Sequence, residues 1–185
     1  MALSAQFAPK KGEFFLYDAT YDMLLLNNSG YQTNGFGNGH NLSLMGDYVF
    51  SKSHYSLGYG LGIGSHNIFS NIYVRSAANG DQVISLVDLD TTTLKKNKIN
   101  FKYIDIPLEV RYRSGLNKKG RYWRVHLGVR VGIRYSFYSE IEDANHHYKD
   151  LNTSQINSLR TVGYLRVGHG FLNAVFQYNF SPLWE

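Results

Sequence analysis

Apolar and polar residues alternate strictly over residues 123–137, WRVHLGVRVGIRYSF, in which every odd position is apolar or aromatic. Every even position in this stretch is Arg, His, Gly or Ser. A two-residue period is typical of a β-strand, because successive side chains point to opposite faces. The stretch therefore predicts a long strand with one apolar and one polar face, and we assign its aromatic ends, Trp123, Tyr135 and Phe137, to the apolar face.

The same alternation returns elsewhere, so the chain is predicted to contain seven strands and no helix. The predicted strands lie at about residues 15–25, 42–50, 55–64, 104–113, 123–137, 159–168 and 171–180. Short connections at 51–53, 114–120 and 168–170 alternate with long polar ones at about 27–39, 75–98 and 139–158. This arrangement is typical of an all-β, up-and-down antiparallel barrel of the transmembrane kind. Asn79-Gly80 predicts a hairpin in the second long connection, by which strands three and four continue beyond the membrane as a ribbon.

The polar face of the 123–137 strand separates a membrane barrel from a soluble one. A solvated face seldom interleaves Gly with Arg and His, whereas small residues fit the interior of a narrow barrel. The apolar face from Val125 to Ile133 covers nine residues, close to the roughly 9 to 11 that a tilted strand needs to cross a bilayer. We therefore expect Leu127, Val129, Val131 and Ile133 to face lipid. A lipocalin-like soluble barrel is the alternative, with the apolar face turned inward.

Composition fits this prediction and excludes several other classes. A chain of 185 residues is long enough for one barrel, and no run of 18 apolar residues offers a transmembrane helix. Cysteine is absent, which excludes disulfide and thiolate chemistry. The net charge of +5 is spread among apolar residues, so nucleic acid is not an expected partner. MALSAQ suggests a signal-peptide remnant or a disordered tail; we divide the chain into a tail, 1–12, and a barrel, 13–185.

The stretch YIDIPLEVRYR at 103–113 resembles a strand of the PorT-like outer-membrane β-barrel family of Bacteroidetes. GYGLGIG at 58–64 and GVRVGIRY at 128–135 are similar to that family's neighbouring strands. The resemblance implies a small barrel of about eight strands in the outer membrane, related to proteins of which some are accessory to protein secretion. It supplies no catalytic residues. In that family one more strand usually follows a stretch like FSPLW at 180–184, and single-chain bacterial barrels have an even strand number, so seven strands leave one missing or hidden in a loop.

The inward face of the predicted barrel carries both acids and bases. This lumen charge network comprises Asp18, Asp22, Asp47, Asp105, Glu109, Arg111, Arg124, Arg130 and Arg134, with Arg113 and Arg166 on the same faces. A plug of ion pairs is the favoured interpretation over an ion pathway, because an eight-stranded barrel is filled by its own side chains. If the turn after strand four centres near Asn117, paired residue numbers add up to about 234 to 235. We then expect Asp105 and Glu109 to pair with Arg130 and Arg124, and Arg111 and Arg134 to pair with acids of the first two strands.

The sequence contains no convincing pattern of catalytic or metal-binding residues. His146-His147 with nearby acids matches no metal-ligand spacing, and is interpreted as a solvated loop. His66 beside Ser65 and Ser70 is the nearest approach to a nucleophilic site. We therefore predict no enzyme, no cofactor and no metal. The predicted function is a non-enzymatic binding or accessory component in the lipid bilayer, whose long loops contact another outer-membrane or secretion protein; a soluble carrier, a small pore and an enzyme are the alternatives.

Overall fold

The protein is described by a computed structural model, and all its regular elements are strands within the described ranges. These ranges are 14–24, 32, 36–51, 53–76, 82–86, 96–117, 120–142, 147–151, 156–169 and 172–184. Over this part of the chain no helix is long and apolar enough to cross a membrane. The predicted tail, residues 1–12, lies outside the described residues.

The described residues form ten strands, of which seven match the predicted ones. They are β1 (Phe15–Tyr21), β2 (Asn38–Val49), β3 (Tyr55–Phe69), β4 (Ile72–Ser76), β5 (Gln82–Leu86), β6 (Lys96–Arg113), β7 (Trp123–Glu142), β8 (His147–Asp150), β9 (Leu159–His169) and β10 (Leu172–Asn179). The seven predicted strands correspond to β1, β2, β3, β6, β7, β9 and β10.

These seven strands form one antiparallel sheet in the order β1-β2-β3-β6-β7-β9-β10, and β8 adds to the far end of β7 as an eighth. Each long strand pairs with the next one along the chain, which confirms the predicted up-and-down order. The sheet is a curled half-barrel, since its end strands β1 and β10 do not pair with each other within the described residues. We call the side of the 51–53 and 114–122 connections the turn end, and the opposite side the loop end.

The convex face of the sheet is apolar from β1 to β10. On β7, Leu127 is 65% exposed and Ile133 is 60% exposed, with Val129 and Val131 also on the outside. The neighbouring strands continue this outward apolar belt with Leu61 and Ile63 on β3 and with Ile104, Ile106 and Leu108 on β6. The predicted outward direction of the four β7 residues is therefore confirmed.

At Tyr135 the inward and outward faces of β7 exchange between odd and even residues. Tyr103 of β6 pairs with Arg134, whereas the preceding Lys102 pairs with Ser136, so Tyr135 is an extra residue in the ladder. Such a β-bulge shifts the parity of the strand by one residue. Odd residues of β7 therefore point outward on the turn-end side of the bulge and inward on its loop-end side. Our assignment of Phe137 to the outward face is wrong, because this ring is only 3% exposed.

Above the bulge the sheet encloses a small hydrophobic core at the loop end. Phe101 of β6 pairs with Phe137 of β7, and their ring centroids are 5.3 Å apart. The buried members of this core are Ile72, Val74, Ile99, Phe101, Tyr103, Phe137 and Ile156. Leu183 and Trp184 pack against it from the segment that follows β10. We call this part of the molecule, from Ser136 of β7 and Lys102 of β6 toward the loop end, the extension.

The strands of the extension are longer than the alternation alone indicates. β3 and β6 stay paired as far as Phe69 and Lys98, so the predicted continuation of strands three and four is present up to these residues. The predicted hairpin is also present, but β4 and β5 form a separate two-stranded sheet, with Val74 paired to Ile84. Its turn at Asn79-Gly80 lies outside the described residues.

Candidate functional site

The concave face of the sheet is lined by buried charges. Among the inward side chains, the fully or nearly fully buried ionisable ones are Asp18, Asp105, Glu109, Arg111, Arg113, Arg124, His126, Arg130, Arg160 and Arg166. Strand pleating alternates each of them with an outward apolar residue, so the apolar belt and this charged lumen are two faces of the same strands. Charges removed from water need partners at hydrogen-bond distance.

Glu109 of β6 lies at the centre of the lumen. Its Oε2 accepts a 2.6 Å hydrogen bond from Arg111 Nε and lies 3.3 Å from His126 Nδ1. Its Oε1 accepts from the Tyr164 hydroxyl at 2.7 Å and from Arg166 Nη1 at 3.3 Å. One carboxylate thus joins β6 and β9 through charge-assisted hydrogen bonds and lies close to the imidazole of β7.

Two further carboxylates hold arginines on either side of Glu109. Toward the turn end, Asp47 of β2 accepts from Arg113 Nη2 at 2.7 Å and from Arg111 Nη1 at 3.3 Å. Toward the loop end, Asp105 accepts two hydrogen bonds from Arg160 of β9, at 3.2 Å from Nε and 2.7 Å from Nη2. The bidentate contact matches the planar guanidinium fork, so it is the most specific pair of the lumen.

The fourth carboxylate, Asp18, comes from the end strand β1. Both of its oxygens accept hydrogen bonds from Arg166 Nη2, at 3.0 and 2.8 Å. Arg130 Nη2 lies 3.5 Å from Asp18 Oδ2, and Arg130 Nη1 donates to Gln177 Oε1 of β10 at 3.3 Å. Asp18 therefore contacts β7 and β9 across the inside of the curled sheet.

The predicted pairing of Asp105 and Glu109 with Arg130 and Arg124 is wrong. The register of β6 and β7 pairs Arg113 with Arg124, so paired residue numbers add up to 237 in the structure. Gly132 and Gly128 consequently stand opposite Asp105 and Glu109. A side chain at either glycine would collide with Asp105, Arg160 or Tyr164, so the missing side chains are what admits partners from β9.

The other predicted members of the lumen charge network have different surroundings. Arg111 contacts Asp47 of β2, as expected for an arginine that turns to the first two strands. Arg134 lies at the bulge and donates to the carbonyl oxygens of Ile156 and Asn157. Our prediction that it pairs with an acid of the first two strands is wrong, because it contacts the segment before β9 instead. Arg124 is buried near the turn end and lies over the Tyr122 ring, 5.7 Å from its centroid.

Asp22 lies at the loop-end mouth of the lumen and is bound to His66. Its Oδ2 is 2.7 Å from His66 Nδ1, and its Oδ1 accepts from the Thr20 hydroxyl at 2.7 Å. Burial alone would raise the pKa of Asp22, but the hydrogen bond and charge of His66, aided by Thr20, lower this pKa below its ordinary value. The structure thus places Asp22 in a carboxylate–imidazole pair beside the arginine network.

The hydroxyl groups considered as nucleophiles have other partners. His66 Nε2 lies 3.2 Å from Asn41 Oδ1. The Ser65 hydroxyl accepts from Asn100 Nδ2 at 3.2 Å, and the Ser70 hydroxyl accepts from the Ile72 backbone N–H at 3.3 Å. The geometry therefore gives His66 the orienting carboxylate of a catalytic dyad without directing it at either serine.

The described residues contain no group of three or more His, Cys, Asp or Glu side chains that could hold a metal ion. His147 lies on β8 and is half exposed, with its Nε2 3.1 Å from Glu140 Oε1. His146 lies outside the described residues.

Sequence reasoning underrated the contribution of β9. Arg160 supplies the bidentate partner of Asp105, and Arg166 bridges Asp18 and Glu109. Both arginines are at even positions of β9, and this shared spacing places them on the same face as each other. Val162 and Tyr164 are also at even positions, so this inward face mixes apolar and charged residues and the alternation is less clear. Gln177 of β10, the neutral partner of Arg130, carries no sequence signal that singles it out from the other polar residues of that strand.

An antiparallel sheet that turns an apolar belt outward and an ion-paired lumen inward defines a β-barrel protein of a membrane. The chain belongs to the outer membrane protein beta-barrel domain family, whose sequence model matches residues 19–185. Comparisons with curated proteins and with solved structures found no match. The protein is therefore an outer-membrane β-barrel protein, and the outward apolar belt is its lipid-facing surface.

Proposed function

We propose that this protein is a non-enzymatic binding or accessory component of the outer membrane, and that its extension binds another protein. The resemblance of YIDIPLEVRYR to the PorT-like family supports a finer version, in which the partner takes part in protein secretion. Long loops of outer-membrane barrels are usually extracellular, so we place the extension on the outer side.

The observation that carries this proposal is the length and separate core of the extension. β6 has 18 residues and β7 has 20, about twice the roughly 9 to 11 residues that a strand needs to cross a bilayer. This surplus packs around the hydrophobic core that contains Phe101 and Phe137, and we expect this packing to hold it rigid. A rigid platform beyond the lipid is a suitable base for a protein-binding surface, because little conformational entropy is lost when it binds.

The outward surface of the extension has the composition of a binding patch. Tyr138 lies between two ammonium groups, with Lys98 Nζ 5.0 Å and Lys149 Nζ 4.4 Å from its ring centroid. Glu140 contacts Lys98 at 3.3 Å and His147 at 3.1 Å. We call these five residues the outward patch. An aromatic ring flanked by cations favours a partner with carboxylates around an apolar contact.

The filled lumen favours this role over that of a pore. The side chains of Glu109, Tyr164, Arg166 and Asp18 are joined by hydrogen bonds from β6 across to β1. Ions would have to break these charge-assisted bonds to pass. A steady single-channel conductance in planar bilayers would favour the pore instead.

Photo-crosslinking in outer membranes tests the proposal. A photoreactive residue at position 138 of the outward patch should yield a discrete crosslinked protein, and Lys149→Glu should abolish this product. The matched control carries the same probe at Tyr135, which is 55% exposed on the same strand but belongs to the lipid-facing side of the bulge. Equal products from positions 135 and 138, or none from 138, would contradict the proposal.

A further inference from the structure

Four of the lumen arginines have a carboxylate of their own. Asp105 holds Arg160 and Asp47 holds Arg113, while Glu109 holds Arg111 and Asp18 holds Arg166, each with a shortest N–O distance of 2.6 to 2.8 Å. Arg130 is a fifth guanidinium among these four acids. None of these four acids is therefore left to Arg130 alone.

Arg130 has weaker contacts than these four arginines. It is 2% exposed, and its nearest carboxylate oxygen, on Asp18, is 3.5 Å away and already accepts from Arg166. Its Nη1 donates to the neutral Gln177, and its Nε has no hydrogen-bond partner within the described residues. The ring of Tyr164 lies beneath it, 5.2 Å from ring centroid to guanidinium carbon.

A buried guanidinium cannot lose its charge in the way that a lysine can, because the pKa of arginine is too high. A buried charge without a close carboxylate of its own is destabilising, so a further anion at this position is favoured. A carboxylate matches the guanidinium fork, which presents two parallel N–H donors. Gln177 adds a neutral amide, whose N–H groups can donate to the same anion.

We propose that Arg130 is a carboxylate-binding site that opens toward the gap between β1 and β10. Asp18 lies on β1 and Gln177 lies on β10, so Arg130 contacts both strands whose facing edges do not pair within the described residues. The carboxylate enters from this gap, between Asp18 and Gln177. This inference is independent of the outward patch and of any partner bound there.

The carboxylate has two sources with the same chemistry. One is a free small carboxylate. The other is an acidic side chain on an extended peptide segment in the gap. β1 and β10 run in the same direction, since six antiparallel steps separate them in the sheet. A single segment that runs the opposite way is therefore antiparallel to both, and satisfies the edge N–H and C=O groups that lipid cannot.

The two sources are tested on the full chain in detergent micelles. The free probe is sodium formate, compared with sodium chloride at equal ionic strength. The peptide probe is a designed ten-residue strand with Leu and Val on one face, Ser on the other and one central Asp; its control carries Asn instead. At ten times its dissociation constant, a bound probe should raise the unfolding midpoint by about 3 to 6 °C.

Three variants test whether the midpoint shift depends on the guanidinium of Arg130. Arg130→Gln should abolish the midpoint shift, while Arg160→Gln, which removes another buried arginine, should retain it. Arg130→Lys, which keeps the charge without the fork, should weaken binding about tenfold or more. Line broadening of ¹³C-formate, measured by NMR with the unaltered protein, needs no variant to fold.

Each outcome decides the proposal. A shift with formate supports a free carboxylate, and a shift with the Asp peptide but not with formate supports an acid carried by a strand. Equal shifts with the Asp and Asn peptides, no shift or broadening with any probe, or an unchanged shift in Arg130→Gln would overturn the site.

Discussion

The two ends of β7 bury opposite faces of one strand. From Trp123 to Ile133 its odd residues point outward into the apolar belt, and its even residues lie in the charged lumen. From Phe137 to Ile141 the odd residues are buried in the hydrophobic core of the extension, and the even residues are partly exposed. The first part has the arrangement of a membrane barrel, and the second has that of a water-soluble sheet.

A single extra residue accounts for the change. We infer that the surroundings reverse, from lipid to water, at the same level at which the bulge at Tyr135 reverses the side-chain directions. Because both reversals occur together, the hydrophobic residues stay on odd positions throughout. The comparison teaches that unbroken alternation along a strand is compatible with two opposite environments.

The largest expected effect lies in the core of the extension. Phe137→Ala removes a ring that packs against Phe101, and should cost about 3 to 5 kcal/mol, as large-to-small changes of buried aromatic residues do. Ile133→Ala, four residues earlier on the lipid-facing side, should cost much less. Chemical denaturation in detergent measures both free energies. Equal costs would remove the distinction between the two parts of β7.

The charged lumen should be sensitive to loss of one partner. Asp105→Ala leaves Arg160 buried without its bidentate carboxylate, a loss on the order of 3 to 5 kcal/mol for a dry pair and less where lumen water reaches it. A double-mutant cycle with Arg160→Ala isolates the pair, since the double variant should be more stable than Asp105→Ala alone. Additive losses would show that the two side chains act independently.

A charge introduced on the outward face should distinguish positions that contact lipid from positions that contact water. Val129→Arg places a guanidinium in the middle of the lipid-facing belt, at a cost of about 2 to 4 kcal/mol. Ser136→Arg, on the even positions above the bulge, should be nearly neutral. Folding yield and unfolding midpoint in lipid vesicles provide the measurement, and a tolerated Arg at 129 would place that side chain outside the membrane.

The smallest expected effect concerns acid sensitivity at the mouth of the lumen. The pKa of Asp22 is lowered on folding, so its pair with His66 contributes stability above the ordinary value of 3.8, and that contribution is lost as the pH falls through the lower folded pKa. His66→Gln removes the charge that lowers this pKa, so acid destabilisation should begin at higher pH than in the unaltered protein. In an Asp22→Asn background, His66→Gln should shift the onset no further.

The sequence predicts the strands and their faces well, because alternation reports directly which residues must avoid water or lipid. It misplaces Phe137 because the bulge at Tyr135 exchanges the inward and outward faces of β7 without interrupting the alternation of apolar and polar residues. It pairs Asp105 with the wrong residue because a shift of two residues between β6 and β7 leaves every side chain on the same face. Alternation therefore cannot distinguish the predicted register from the observed one. The partnership with Arg160 depends on Gly132 and on the position of β9, which are properties of the folded sheet.

The reversal at Tyr135 is tested most directly by a single-cysteine scan along β7. The chain has no cysteine of its own, so each introduced residue is labelled alone. Fluorescent labels at 129, 131 and 133 should be quenched by nitroxides attached to lipid chains. A label at 137 should be protected from lipid and from water-soluble quenchers, and one at 138 should be quenched from water. Lipid quenching that continues on odd positions through 137 would contradict the reversal.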